Sequence, residues 1–175
     1  MKISRSTNLP LDKFINFALY DKNSGYYMKK NPFGKKGDFI TAPNITRLFS
    51  EIVAIWVITF WKSIGSPKKF NLIELGAGNG EMIKVINETL KNFPECFNAC
   101  KFIIHEKSNF LIKQQKKKLN TKKILWLKDI KKINSYPTLY IANEFFDAIP
   151  IKQFFKKKDG WRERFVKLKN LKKAE

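Results

Sequence analysis

The segment Glu74-Leu75-Gly76-Ala77-Gly78-Asn79-Gly80 joins the end of a short apolar run, residues 70–75, to an amphipathic stretch that starts at Glu81. A strand running into a glycine-rich turn and then a helix is the opening of a βαβ unit. The glycines permit a tight turn and let a ligand approach the backbone where a Cβ would block it. The pattern then repeats. Residues 81–93 read as a helix ended by Pro94, 101–105 as a second strand and 107–119 as a helix with a lysine-rich face. Residues 124–127 and 138–142 read as third and fourth strands. Strands alternating with helices indicate an α/β chain with a parallel sheet covered on both faces.

The turn is spaced G-x-G-x-G. It differs from the G-x-G-x-x-G of dinucleotide folds and lacks the Lys-Ser/Thr pair of a P-loop. That favours a ligand without phosphates. S-adenosylmethionine is one, and its sulfonium and ammonium groups suit an acidic lining. The competing reading keeps the glycines for packing alone. Glu106 closes the second strand, 26 residues past Gly80. A carboxylate there can accept both ribose hydroxyls, or it is a solvated loop residue. Asn143-Glu144-Phe145-Phe146-Asp147-Ala148-Ile149-Pro150 follows the fourth strand, beside the switch point where open α/β sheets bind ligands. It reads as a substrate lip, or as a turn and cap with its phenylalanines in the core.

Upstream, residues 10–20 have helical spacing and 21–25 form a turn. Residues 32–38 form a loop, and 46–61 form a strongly apolar helix ended by Gly65-Ser66-Pro67. The change of character at 67/68 divides the chain into a helical extension, 1–67, and a sheet domain, 68–175. Residues 160–168 read as one arm of a hairpin. The apolar run 52–61 is about half of what a bilayer span needs and reads as a buried helix. No apolar leader follows Met1, so the cytoplasm is the expected location.

The chain carries 35 basic and 15 acidic residues, a net charge of +20. Only Arg5, Arg47, Arg162 and Arg164 are arginines. Specific nucleic-acid surfaces lean on arginine's planar fork, so no sequence-specific nucleic-acid partner is expected. Cys96 and Cys100 read as reduced structural thiols on one helical face. With His105 the single histidine, no metal site and no Ser-His-Asp catalysis are expected.

Three segments, Gly37-Asp38-Phe39-Ile40-Thr41-Ala42-Pro43, the turn at 74–80 and the segment at 143–150, together resemble the MidA family. Leu19-Tyr20-Asp21, Ser24-Gly25-Tyr26-Tyr27-Met28 and Gly160-Trp161-Arg162-Glu163-Arg164 add to the likeness. This family includes the mitochondrial complex I assembly protein arginine methyltransferase. The resemblance implies a Rossmann-like class I methyltransferase sheet with an N-terminal helical extension folding over the cofactor. It implies S-adenosyl-L-methionine as cofactor and a protein arginine as substrate, on a respiratory complex I core subunit in the mitochondrial case. Glu74, Gly76, Ala77, Gly78, Gly80, Glu106, Asp38, Thr41 and Pro43 would bind the cofactor. Glu144 and Asp147 would hold the guanidinium, with Asn143 orienting them. Family members are longer, so the sheet is expected to be incomplete here, completed by a C-terminal half or by a second copy. Methylation of nucleic acid or a small molecule is the alternative. A second alternative is a non-catalytic cofactor-binding assembly factor. A mitochondrial location is implied only for a eukaryotic member.

Overall fold

The computed structural model describes residues 6–30, 32–34, 37–119 and 123–169. The opening residues 1–5, Lys35 and Lys36 of the expected loop, and the tail from Asn170 lie outside them. The chain divides into two compact units, Met1–Lys29 with Asp147–Glu175, and Lys30–Phe146. Compactness therefore divides the chain at other places than the change of sequence character at 67/68.

The first unit opens with β1 (Ser6–Pro10), α1 (Leu11–Tyr20) and α2 (Tyr26–Lys29). Pro10 stands at the N-cap of α1, where its missing N–H costs nothing. Asp21 ends that helix. Its Oδ1 accepts from the N–H of Asn23 and Ser24 at 3.0 and 2.9 Å, and from the Ser24 hydroxyl at 2.7 Å. Such an aspartate turn competes with helix continuation.

The second unit holds α3 (Ala42–Ile45), α4 (Arg47–Ser63), β2 (Phe70–Leu75), α5 (Glu81–Leu90) and α6 (Pro94–Ala99). It continues with β3 (Cys100–His105), α7 (Asn109–Lys118), β4 (Ile124–Leu127) and β5 (Thr138–Ile141). Thr46 and Ser108 cap α4 and α7 through their hydroxyls, which accept from Leu48 N–H and Leu111 N–H. The four strands form a parallel sheet in the order β4-β3-β2-β5. The chain winds outward from β2 through β3 to β4, then jumps back to lay β5 on the other side of β2. The switch point thus lies between β2 and β5, at the carboxyl ends where the glycine turn and the segment after β5 emerge.

Ala54, Val57, Ile58 and Trp61 of α4 pack into the core with Ile83, Ile86 and Leu90 of α5 and with Leu72 and Phe102 of the sheet. The expectation of a buried helix at 52–61 holds for that face only. Ile52, Ile55 and Trp56 are exposed, because α4 is an outer layer. The cysteines also differ from expectation. Cys96 lies in α6 and Cys100 begins β3, so they share no helix, although both are free and buried. Pro94 starts α6 as well as ending the preceding segment, as its fixed φ allows at a first helical position.

The chain then returns to the first unit. β6 (Phe154–Lys157) and β7 (Gly160–Glu163) form an antiparallel hairpin, and β8 (Phe165–Lys169) pairs antiparallel with β1. The single hairpin arm expected at 160–168 is thus two strands with different partners, split at Arg164.

Candidate functional site

Gly76 and Gly78 adopt φ of 65° and 54°, left-handed conformations that disfavour any residue with a Cβ. Space is short as well. A Cβ on Gly76 would lie 2.5 Å from Cδ2 of Phe145, and one on Gly78 would lie 3.1 Å from Cδ2 of Phe33. The turn is therefore covered by two aromatic rings, and its backbone is the floor of a cleft. Phe33, Thr41, Pro43, Asn44, Glu74, Ala77, Asn79, Met82, Asn143 and Glu144 line it together with the glycines and Glu81. The cleft is partly open to solvent.

Its described lining residues include three carboxylates and no cation, in a chain of net charge +20. Glu81 is paired with Lys118 of α7. Glu74 is different. It is 4% exposed. Its carboxyl accepts from the N–H of Ile83, in the first turn of α5. Yet Oε2 is buried with no hydrogen-bond partner among the described residues. Burial pushes this carboxyl up to about 8, with the Ile83 bond opposing and the charge of Glu106 adding to the rise. A buried carboxyl oxygen left unpaired costs free energy, and its site is set up for a donor or a cation.

The sign of the resulting pH dependence follows. Between the ordinary carboxyl pKa of 4.5 and about 8, the folded chain retains a proton that the unfolded chain has released. Stability conferred by the neutral form is present below 4.5 and is lost as pH rises through that window, by up to about 1.4 kcal/mol per pH unit. Glu74→Gln is expected to flatten the fall in melting temperature between pH 5 and 8. Equal slopes in wild type and variant would show that Glu74 does not titrate in that window.

A hydrogen-bonded chain ties the N-terminal segment to the turn. Asn44 Nδ2 donates to Thr41 Oγ1 at 2.9 Å, and Asn79 Nδ2 donates to Asn44 Oδ1 at 2.6 Å. Asn79 Oδ1 in turn accepts from Glu81 N–H at 3.2 Å, capping α5. From below, Gln115 of α7 is fully buried. Its Nε2 donates to the Gly78 carbonyl and its Oε1 accepts from the Trp126 indole, both at 2.9 Å. Gln115→Leu would leave both partners unsatisfied. The expected loss is about 2 kcal/mol in denaturant unfolding, with weakened ligand binding at the turn; unchanged unfolding would show that neither bond matters.

The residues expected from sequence separate into two groups. Glu74, Gly76, Ala77, Gly78, Thr41, Pro43, Asn143 and Glu144 converge on the cleft. Gly80, Glu106, Asp38 and Asp147 are not among its lining residues. Gly80 faces Leu119 and Gln115. Asp38 is exposed and paired with Lys30. Glu106 is 8% exposed, and its Oε1 accepts from Ser108 N–H at 2.9 Å. Burial raises its carboxyl, while the backbone bonds and Gln115 oppose. Asp147 belongs to the first unit and is exposed. Glu144 has φ of 47°, a strain that a non-glycine residue carries only where its surroundings enforce it.

Sequence reasoning passed over Phe33, Asn44, Asn79 and Gln115. Two of them left signals. Asn79 is a capping residue type at a helix start. Gln115 is a polar residue at four-residue spacing between Leu111 and Leu119.

A family model described as "Putative S-adenosyl-L-methionine-dependent methyltransferase" matches residues 52–175. Among curated proteins, the chain is 32% identical to protein arginine methyltransferase NDUFAF7, mitochondrial, of Xenopus tropicalis, over 94% of this chain and 44% of that protein. It is 30% identical to its Homo sapiens counterpart, over 94% and 43%. The Caenorhabditis elegans homologue is 36% identical, over 95% and 44%. The chain thus spans less than half the length of these relatives. A solved structure of a COG1565 superfamily member from Burkholderia thailandensis, bound to S-adenosyl-homocysteine, superposes with a TM-score of 0.73 at 21% identity. That match covers 94% of this chain and 46% of the other, and it shows a shared fold.

Proposed function

The chain belongs to this family of S-adenosyl-L-methionine-dependent methyltransferases, and from that premise we propose that it binds S-adenosyl-L-methionine in the cleft and forms the cofactor-binding part of a protein arginine N-methyltransferase. The observation that carries the reading is the buried, unpaired Oε2 of Glu74 under the glycine turn. It is a carboxyl oxygen that can accept from a donor, in a cleft whose described lining residues include carboxylates and no cation. Glycines at positive φ, crowded by Phe145 and Phe33, leave the backbone open to close approach by a ligand. The residues therefore fit this cofactor.

In this reading Glu74 and the backbone of Gly76, Ala77 and Gly78 hold the cofactor, with Thr41, Pro43 and Phe33 covering it. Glu106 keeps the ribose role by its place after β3 and would have to exchange its bond to Ser108. Asp38 and Gly80 act through the loop and the turn that carry them. When bound, the cofactor supplies an electrophilic methyl group on a cationic sulfur. The chain's own work concerns the arginine. A guanidinium is a poor nucleophile while its charge is spread over three nitrogens. Glu144 would accept from one edge of the fork, localise charge there and receive the proton shed by the attacking nitrogen. Asn143 would orient that carboxylate. The strained backbone of Glu144 supports the assignment, since such strain clusters at functional sites.

The resemblance extends the proposal to a subunit of respiratory complex I as substrate. The expected location is the cytoplasm for a bacterial member and mitochondria for a eukaryotic one. The test is to incubate the protein carrying this chain with methyl-labelled cofactor and cellular protein, then hydrolyse and separate the amino acids. Label in methylarginine supports the reading. Label confined to nucleic acid, or to other amino acids, contradicts it.

A further inference from the structure

Glu74 stands one residue before the end of β2, in register with Ile104 of β3 on one side and Ile141 of β5 on the other. It lines the cleft, yet it is 4% exposed. Its carboxyl accepts from Ile83 N–H, and Oε2 has no partner among the described residues. The titratable groups around it supply no counter-charge. Glu106, just past β3, is itself buried and adds negative charge. Glu81 of α5 is spent on Lys118 of α7. Glu144, after β5, is an exposed acid at the rim. His105 Nδ1 lies 3.1 Å from the Leu127 carbonyl. Thr41, Pro43 and Asn44, the lining residues at α3, carry no charge. A carboxylate in this place gives up water and gains no cation, so desolvation favours the neutral acid. The rise of this carboxyl to about 8 agrees with that geometry.

We propose that Glu74 selects nucleosides that carry an ammonium group, by exchanging its own proton for that cation. The inference rests on the cofactor reading above and deepens it. An ammonium brings N–H donors for Oε2 and the positive charge that the described lining lacks. A sulfonium brings charge and no N–H, so it leaves the oxygen unsatisfied. When the ammonium enters, the O–H bond of the Glu74 carboxyl breaks and its proton leaves to the buffer. The carboxylate then accepts from the ammonium. One positive charge enters and one departs, no electrons move, and the buried site keeps its net charge. S-adenosylmethionine and S-adenosyl-homocysteine both carry the ammonium and meet this requirement. 5′-Methylthioadenosine keeps the nucleoside and lacks the ammonium, so it cannot drive the exchange.

The test is calorimetric titration of the whole chain with these three nucleosides at about pH 6.5, in PIPES and in imidazole. The two buffers differ in ionisation enthalpy, so the difference in heat counts protons. About one proton is expected to be released per S-adenosylmethionine or S-adenosyl-homocysteine bound, and none per 5′-methylthioadenosine. Affinity for S-adenosyl-homocysteine should rise about tenfold from pH 6 to pH 7. Glu74→Gln should remove both the proton release and the pH dependence, whereas Glu106→Gln should keep them. Where Glu74→Gln fails to fold, ¹³C NMR of glutamate carboxyls in the free chain takes its place. A carboxyl still protonated at about pH 6.5 is then expected, and it should persist in Glu106→Gln. No such carboxyl, no release with S-adenosyl-homocysteine, equal release with 5′-methylthioadenosine, or release that survives Glu74→Gln would overturn the exchange. Binding of the cofactor without proton release loses the exchange and keeps the cofactor cleft. A folded chain that holds the protonated carboxyl and binds none of the three nucleosides loses the proposed function, and the selection with it.

Discussion

Gly78→Val is expected to abolish binding of S-adenosylmethionine, with a loss of at least about a hundredfold, in a chain that still folds its sheet. Two effects combine. At φ of 54° a β-branched residue is strained, by about 1–2 kcal/mol for the left-handed region alone. Its Cβ would also point toward Phe33, at 3.1 Å from Cδ2, into the lining of the cleft. Phe33 must then move or the turn must open, and either change removes the floor on which the ligand rests. The strand before the turn is buried along its length and paired on both sides, so the sheet should survive. Calorimetric titration checks affinity, and circular dichroism checks folding. A folded variant with wild-type affinity would move the cofactor away from this turn.

Glu144→Gln is expected to do the reverse. Cofactor affinity should stay within about twofold, and methyl transfer should fall by about a hundredfold or more. The substitution keeps size and hydrogen-bonding capacity and removes the charge that localises the guanidinium. Glu144 is exposed at the rim of the cleft, so no large change in folding accompanies the loss of charge. The readout is labelled methyl transfer by the protein carrying this chain, alongside cofactor titration and melting temperature. Normal transfer would remove Glu144 from the reacting group and leave Asp147 as the remaining carboxylate of that segment.

Much of the second unit was legible because its signals are local. The strand at 70–75, the turn and the strand at 124–127 stand where hydrophobic runs and glycine spacing place them. The helix expected at 46–61 runs Arg47–Ser63, with Thr46 as its cap. What escaped depends on partners distant in sequence. Ser6–Pro10 has no strand-like alternation and is a strand because β8 pairs with it across the chain. The single histidine finds its partner in the Leu127 carbonyl, 3.1 Å from Nδ1. Gln115 sits among lysines and declares its role only once α7 lies under the turn. The exposed side of α4 was misread for a similar reason: hydrophobicity reports that a face is apolar, and the packing decides which face is covered.

The site was legible to the extent that its chemistry is written in backbone geometry. Three positive-φ glycines and a carboxylate at a strand end can be read from spacing. The pairing of Asp38 with Lys30 and the folding back of Glu106 onto Ser108 cannot, because each depends on loop conformation.

S-adenosylmethionine is proposed to lie on the glycine turn of this chain. The most direct measurement is an NMR titration of the isotopically labelled chain, followed at its backbone amides. Saturable shifts are expected at Gly76, Ala77 and Gly78, extending to Thr41 and Asn44 through the Asn79 bond. Saturable binding that leaves those amides unmoved, or no binding to the folded chain, would contradict it.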